Sequence, residues 1–138
     1  MIKIENYEFM QVFKTLKAQF ILDVVLCLLF ERKIVFISDD VRNNAQVVEA
    51  LTRLISPLTW TGTVISLLSS NMIDYLDAPF PFIACVTKQF WKQICNRNQN
   101  SGLSHWDRLE EDVVAFDLAT QTIYNKMALP GEPQPYTE

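Results

Sequence analysis

FILDVVLCLLFERKIVFISDD, residues 20–40, is the most apolar stretch of the chain, and three charges, Glu31, Arg32 and Lys33, sit in its middle. Its uninterrupted apolar part runs only from Val24 to Phe30. A spanning helix needs roughly 20 such residues, so the stretch does not cross a membrane. The pattern changes at the charges. Upstream, Phe9, Val12, Phe13, Leu16, Phe20, Val24, Cys27 and Leu28 recur mostly three or four apart, which predicts a helix over about 9–30. Towards its end that helix becomes apolar all round, which predicts cover on both sides. Downstream, KIVFIS is β-branched and aromatic, which predicts a buried strand over about 34–38.

The rest of the chain continues the alternation. Val47, Val48, Leu51, Leu54 and Ile55 keep the helical period over about 41–55, and Pro57 ends that helix. Ser38, Asp39 or Asp40 can cap it. Residues 63–68, TVISLL, form a short apolar run and read as a strand. Residues 69–78 read as a short helix with a Ser cap, stopped by Pro79, and a third strand over 79–87 is entered through Pro79 and Pro81. KQFWKQIC, 88–95, is amphipathic, 96–111 is a polar loop, and 112–125 reads as a strand or hairpin turning near 119–121. Strands separated by helices imply a mostly parallel sheet flanked by helices, a three-layer α/β sandwich whose strands are apolar on both faces. Residues 1–128 form one module, and the Pro-rich 129–138 reads as a disordered tail or linker stub.

Composition narrows the function. A formal net charge of −4 with no Lys/Arg run argues against nucleic acid. Cys27, Cys85 and Cys95 show no CxxC spacing and read as small buried hydrophobes in a reducing compartment. MIKIENYEFM lacks the apolar region of a signal peptide. Three glycines make phosphate cradling by glycine loops improbable, and no GxGxxG, GxxxxGK[ST], HExxH or GxSxG pattern occurs.

Each candidate site has a plainer structural reading. Asp39 and Asp40 follow a strand, where α/β sites lie, and with Asp74 and Asp77 they are a paper Mg²⁺ set; helix capping explains them more simply. His105 lies in the polar loop with no exposed thiol to activate and reads as a surface histidine. Glu31 and Arg32 read as structural, satisfying groups at a helix–strand corner, as do Pro57, Trp60, Pro79 and Pro81 in shaping turns. Trp60, Trp91, Trp106, Phe80, Phe82 and Phe90 are core or an exposed aromatic patch. No metal, cofactor or catalytic centre is nominated, so the protein is expected to act through a surface.

Four stretches carry a resemblance. LDVVLCLLFERKIVFISDD (22–40) resembles a segment in which a Leu-rich helix runs into "LLxERRILFxSxD". VVEALTRLISPLTW (47–60) is similar to "EALxxLLxPxxW", MIDYLDAPFPFIACV (72–86) to "LLDYLxAPxPFLxGV", and DVVAFDL (112–118) to "VVVVDLD". In this order and spacing they resemble the central (cDENN) module of the DENN domain, with departures at SLLSS (66–70), Cys85 and Ala119. The resemblance implies a regulator of Rab-type small GTPases in membrane traffic. It would promote GDP release together with an upstream longin-like (uDENN) lobe, without bond chemistry, in the cytoplasm on endosomal or other trafficking membranes. The sequence ahead of the first helix is too short for that lobe, so exchange is expected only when it is restored. A GTPase-activating subunit using Arg42, Arg53, Arg97 or Arg108, or a scaffold, is the alternative. From the topology the partner surface is placed at Asp39, Asp40, Arg42, Asn43, Asn44, Ser69, Ser70 and Asn71.

Overall fold

A computed structural model of the chain describes residues 14, 16–55, 58, 60–97 and 100–126, with the side chains of 41–43 left aside. Five strands form one sheet: β1 (Lys33–Ile37), β2 (Thr63–Ile65), β3 (Phe82–Val86), β4 (Val113–Asp117) and β5 (Thr122–Asn125). Their order is β2-β3-β1-β4-β5. The first three contacts are parallel and only β4–β5 is antiparallel. Helices α1 (Ala18–Leu29) and α2 (Val41–Arg53) cover one face. The 3₁₀ helix Ser70–Asp77, α3 (Lys88–Cys95) and α4 (His105–Arg108) lie on the other.

The expected three-layer sandwich is therefore present, and burial explains it. In β1, β3 and β4 every residue is buried, because each strand has neighbours on both sides and a layer on both faces. Phe36, Ile83, Cys85, Val114 and Phe116 point to α1 and α2, while Val35, Ala84, Val86 and Ala115 point to α3. The two edge strands depart from that pattern, since β2 and β5 are largely exposed.

Several boundaries shift for identifiable reasons. The helix expected over 9–30 is interrupted at Lys17, which is extended (φ −69°, ψ 145°). The Lys17 N–H donates to Gln121 Oε1 at 2.7 Å, tying the break to the β4–β5 turn. α2 ends at Arg53 rather than 55, with Pro57 outside the described residues. The second strand pairs only over 63–65, although Leu68 N–H still donates to the Cys85 carbonyl at 2.8 Å. The segment 70–77 winds as a 3₁₀ helix, and Ser69 makes no side-chain cap bond. The third strand starts at Phe82, after exposed Pro79 and half-buried Pro81, because a proline cannot donate to the ladder. Within the polar loop, Ser104 and Asp107 close a capping box that starts α4. The two hydrogen bonds from Ser104 hold the Asp107 carboxyl below its ordinary range.

The charged corner is closed by main-chain bonds. Glu31 N–H donates to the Leu28 carbonyl (3.1 Å) and Arg32 N–H to the Cys27 carbonyl (3.0 Å), a Schellman pair ending α1. Glu31 occupies the left-handed position, φ 54°, where glycine is preferred. Its side chain is exposed and Arg32's is buried, so Glu31 contributes to this corner through its backbone. Glu31→Gly should therefore raise stability by about 1 kcal/mol, measured by urea unfolding, since it relieves a left-handed strain of that order.

The outward side of α1 contradicts the expected double cover: Leu22, Leu29 and Phe30 are exposed.

Candidate functional site

The four parallel strands all run the same way, so their carboxyl ends form one rim. Main-chain bonds fix it: Ser38 N–H donates to the Val86 carbonyl and Leu118 N–H to that of Ile37, each at 3.0 Å. Asp39 Oδ1 accepts from Lys88 N–H at 3.0 Å across the sheet. Its negative charge thus sits at the start of α3, where the helix dipole favours it. Thr87 Oγ1 caps the same helix by accepting from Phe90 N–H at 3.1 Å. The capping reading of Asp39 holds, but the capped helix is α3 rather than the next one in sequence. The Asp40 N–H donates to Ser38 Oγ at 3.2 Å.

Beside this rim the chain leaves β2 through Leu68, so exposed Ser69, Ser70 and Asn71 emerge next to the end of β3. Asp39, Asp40, Ser69, Ser70 and Asn71 are all exposed at this end. Arg42 and Asn43 lie in the first turn of α2. Asn44 departs from the expectation of a contact residue. Its side chain is wholly buried, and Nδ2 donates to the Ser38 carbonyl at 3.3 Å. It braces the rim from below instead of presenting itself to a partner.

The paper metal set does not converge. Asp39 is engaged with Lys88, while Asp77 Oδ2 lies 3.5 Å from His105 Nε2. Among the described residues, no three His, Cys, Asp or Glu side chains gather where an ion could bind. His105 is half-buried against that carboxylate on the 3₁₀ helix. Burial pushes the Cys85 thiol up to about 12. Cys27 is buried too, whereas Cys95 is exposed, against expectation, on the solvent side of α3. Its thiol is also raised, by desolvation and then by Asp107. These thiols are poor nucleophiles.

Two features escaped the sequence reading. Lys33 is 4% exposed, and its ammonium reaches Glu110 at 3.0 Å and Asp112 at 3.6 Å at the amino end of the sheet. It looked like one charge of a corner, because its partners lie far along the chain. The second is an apolar groove beside β2. A cavity of about 500 Å³ lies between α2 and β2, walled by Val48, Leu58, Trp60 and Val64. A second, of about 380 Å³, shares Leu58 and Trp60 and extends to Leu29 and Phe80. Gly62 permits it: a Cβ there would sit 2.5 Å from the Trp60 ring and 2.9 Å from the Pro81 carbonyl. Of the expected aromatic set, Trp91, Phe82 and Phe90 are core, Trp60 and Trp106 are half-buried, and Phe80 is exposed. Trp91 and Trp106 pack edge to face at 5.3 Å, holding α4 of the polar loop against α3.

The described residues thus form a three-layer α/β module with a polar rim at the carboxyl ends of its parallel strands. The DENN (AEX-3) domain family model matches residues 2–120, and the chain belongs to that family. It is 32% identical over 81 residues to mouse DENN domain-containing protein 2A, covering 59% of this chain and 8% of that protein. It is 30% identical over 81 residues to human DENN domain-containing protein 2C, covering 59% and 9%. Mouse DENN domain-containing protein 3 matches at 33% over 63 residues, 46% of this chain and 5% of that protein. The chain thus spans less than a tenth of these relatives' length. Among the described residues no helix is long and apolar enough to cross a membrane.

Proposed function

We propose that this chain is the central lobe of a DENN-domain regulator of a Rab-type small GTPase. In this reading it promotes GDP release together with an upstream longin-like lobe, in the cytoplasm at trafficking membranes. The observation that carries the reading is the family membership over residues 2–120. The rim supports it: an exchange factor forms no bond and works by binding the nucleotide-free GTPase more tightly than the loaded one. A rim fixed by main-chain bonds and carrying exposed polar groups can hold a partner's loops in one geometry at little ordering cost. Asp39, Asp40, Arg42, Asn43, Ser69, Ser70 and Asn71 are the contact residues proposed, with Asn44 beneath them.

The test is release of a fluorescent GDP analogue from a panel of Rab GTPases, with this chain alone and with a longin-like lobe supplied. Acceleration for one Rab by the pair, weak or absent with this chain alone, is expected. Ser70→Arg with Asn71→Arg should then cut the acceleration by about tenfold, the usual effect of spoiling central contacts. If no Rab responds to either form, the exchange reading fails and a scaffolding role leads. A GTPase-activating role draws no support from Arg53, which is held by Glu49 at 2.6 Å on α2.

A further inference from the structure

The open edge of the sheet has an unusual sequence. Residues 54–73 contain no Asp, Glu, Lys, Arg or His, and β2 lies in the middle of them. Sheet edges are normally protected by an inward charge, a lysine, a proline or a covering element. Strand β2 carries none of the first three, and no described strand pairs with its outer side. Val64 is 45% exposed on it, and Leu58, beside it in the groove, is 63% exposed.

We propose that the β2 edge is a self-association surface: two copies of this chain pair β2 to β2, antiparallel across a two-fold axis, into one continuous ten-stranded sheet. Three observations select a second copy as the occupant. An uncharged edge meets itself without repulsion although each chain carries a net charge of −4. A two-fold axis perpendicular to the sheet keeps the same face up in both copies, so the two α2 helices flank the seam and the two 500 Å³ grooves open onto each other. The groove rim carries one charge of each sign, Glu49 and Arg53, four residues apart on α2. In an isologous interface residue i meets j while j meets i, so Glu49 of each copy faces Arg53 of the other, and the rim is complementary to itself. Main-chain bonds along β2 supply the register, and Leu58, Trp60 and Val64 from both copies supply apolar contact.

Sedimentation equilibrium of the whole chain in about 0.15 M salt tests this. A reversible dimer is expected, with a dissociation constant on the order of 10–100 μM, as suits a small interface. Val64→Lys and, separately, Leu58→Lys should each weaken it at least tenfold while the far-ultraviolet circular dichroism stays unchanged. Both side chains are exposed, Val64 at 45% and Leu58 at 63%, and if one variant fails to fold the other decides. Arg53→Glu should weaken the dimer, and adding Glu49→Arg should restore it. A chain that remains monomeric to about 500 μM overturns the proposal. So does a dimer that is indifferent to these variants and is broken instead by Leu22→Lys or Phe30→Lys on the outer face of α1.

Discussion

Phe116→Ala lowers the unfolding free energy by about 3–5 kcal/mol, the range for emptying a buried aromatic site. Phe116 is fully buried in the second-to-last strand of the sheet. Its ring meets Phe20 of α1 edge to face at 5.5 Å and Phe36 of β1 at 5.9 Å. It therefore joins two strands and the helix above them, and no neighbour can fill the space without leaving its rotamer. Two aromatic contacts are lost together with the transfer free energy of the ring, which places the cost towards the top of the range. For a domain of this size the loss corresponds to a fall in Tm of roughly 10–20 °C. Calorimetry of the purified variant checks it; a fall of under about 3 °C would mean that the α1 layer is not packed as described. Phe116→Leu should recover about half of the loss, because it restores most of the volume without the ring contacts.

Lys33 gives the second large effect, and its two substitutions should diverge. Its ammonium is buried at the start of β1 and is neutralised by Glu110 and Asp112, which come from the turn before β4. Lys33→Glu puts a third carboxylate into that buried position and costs about 3–5 kcal/mol, the range for an uncompensated buried charge. Lys33→Met keeps the stem and removes the charge. Glu110 is largely in solvent and can rehydrate, whereas Asp112 Oδ1 is buried and loses its cation, so the cost should be intermediate, about 1–2 kcal/mol, and below that of Lys33→Glu. Urea unfolding of both variants reads the difference directly. Equal losses would show that length and packing, rather than charge, decide the site.

The central strands were legible in the sequence because burial on two faces leaves a mark that survives projection onto one dimension. IVFI, FIACV and VVAF are continuous apolar runs, and each lies in a fully buried strand of the parallel part of the sheet. α2, α3 and the β4–β5 hairpin were legible for a related reason: their period of 3.6 or their turn near 119–121 is local. The interruption of the first helix at Lys17 was not. The apolar spacing runs on through it, and the anchor, Gln121, lies more than a hundred residues away. The 3₁₀ winding of 70–77 was equally hidden, since a short segment before a proline has too little period to separate two helix types. Cys95 was misplaced because an amphipathic helix of eight residues offers few apolar positions from which to fix its buried side.

The candidate rim was only partly readable. Position after a strand singled out Asp39 and Asp40, and both are exposed at the carboxyl edge. That Asp39 serves α3, and that Asn44 points inward to Ser38, follows from strand order and helix rotation. Neither is written in neighbouring residues. The sequence by itself determined the layer architecture, the parallel strands, the lack of a recurrent catalytic pattern and the DENN resemblance, because these rest on local hydrophobic period and ordered motifs. Only the tertiary structure decided that β2 ends as an open edge beside an apolar groove, and that Lys33 meets Glu110. Strand order and contacts between residues distant in the chain arise from the packing of the whole sheet, which no local window of sequence contains.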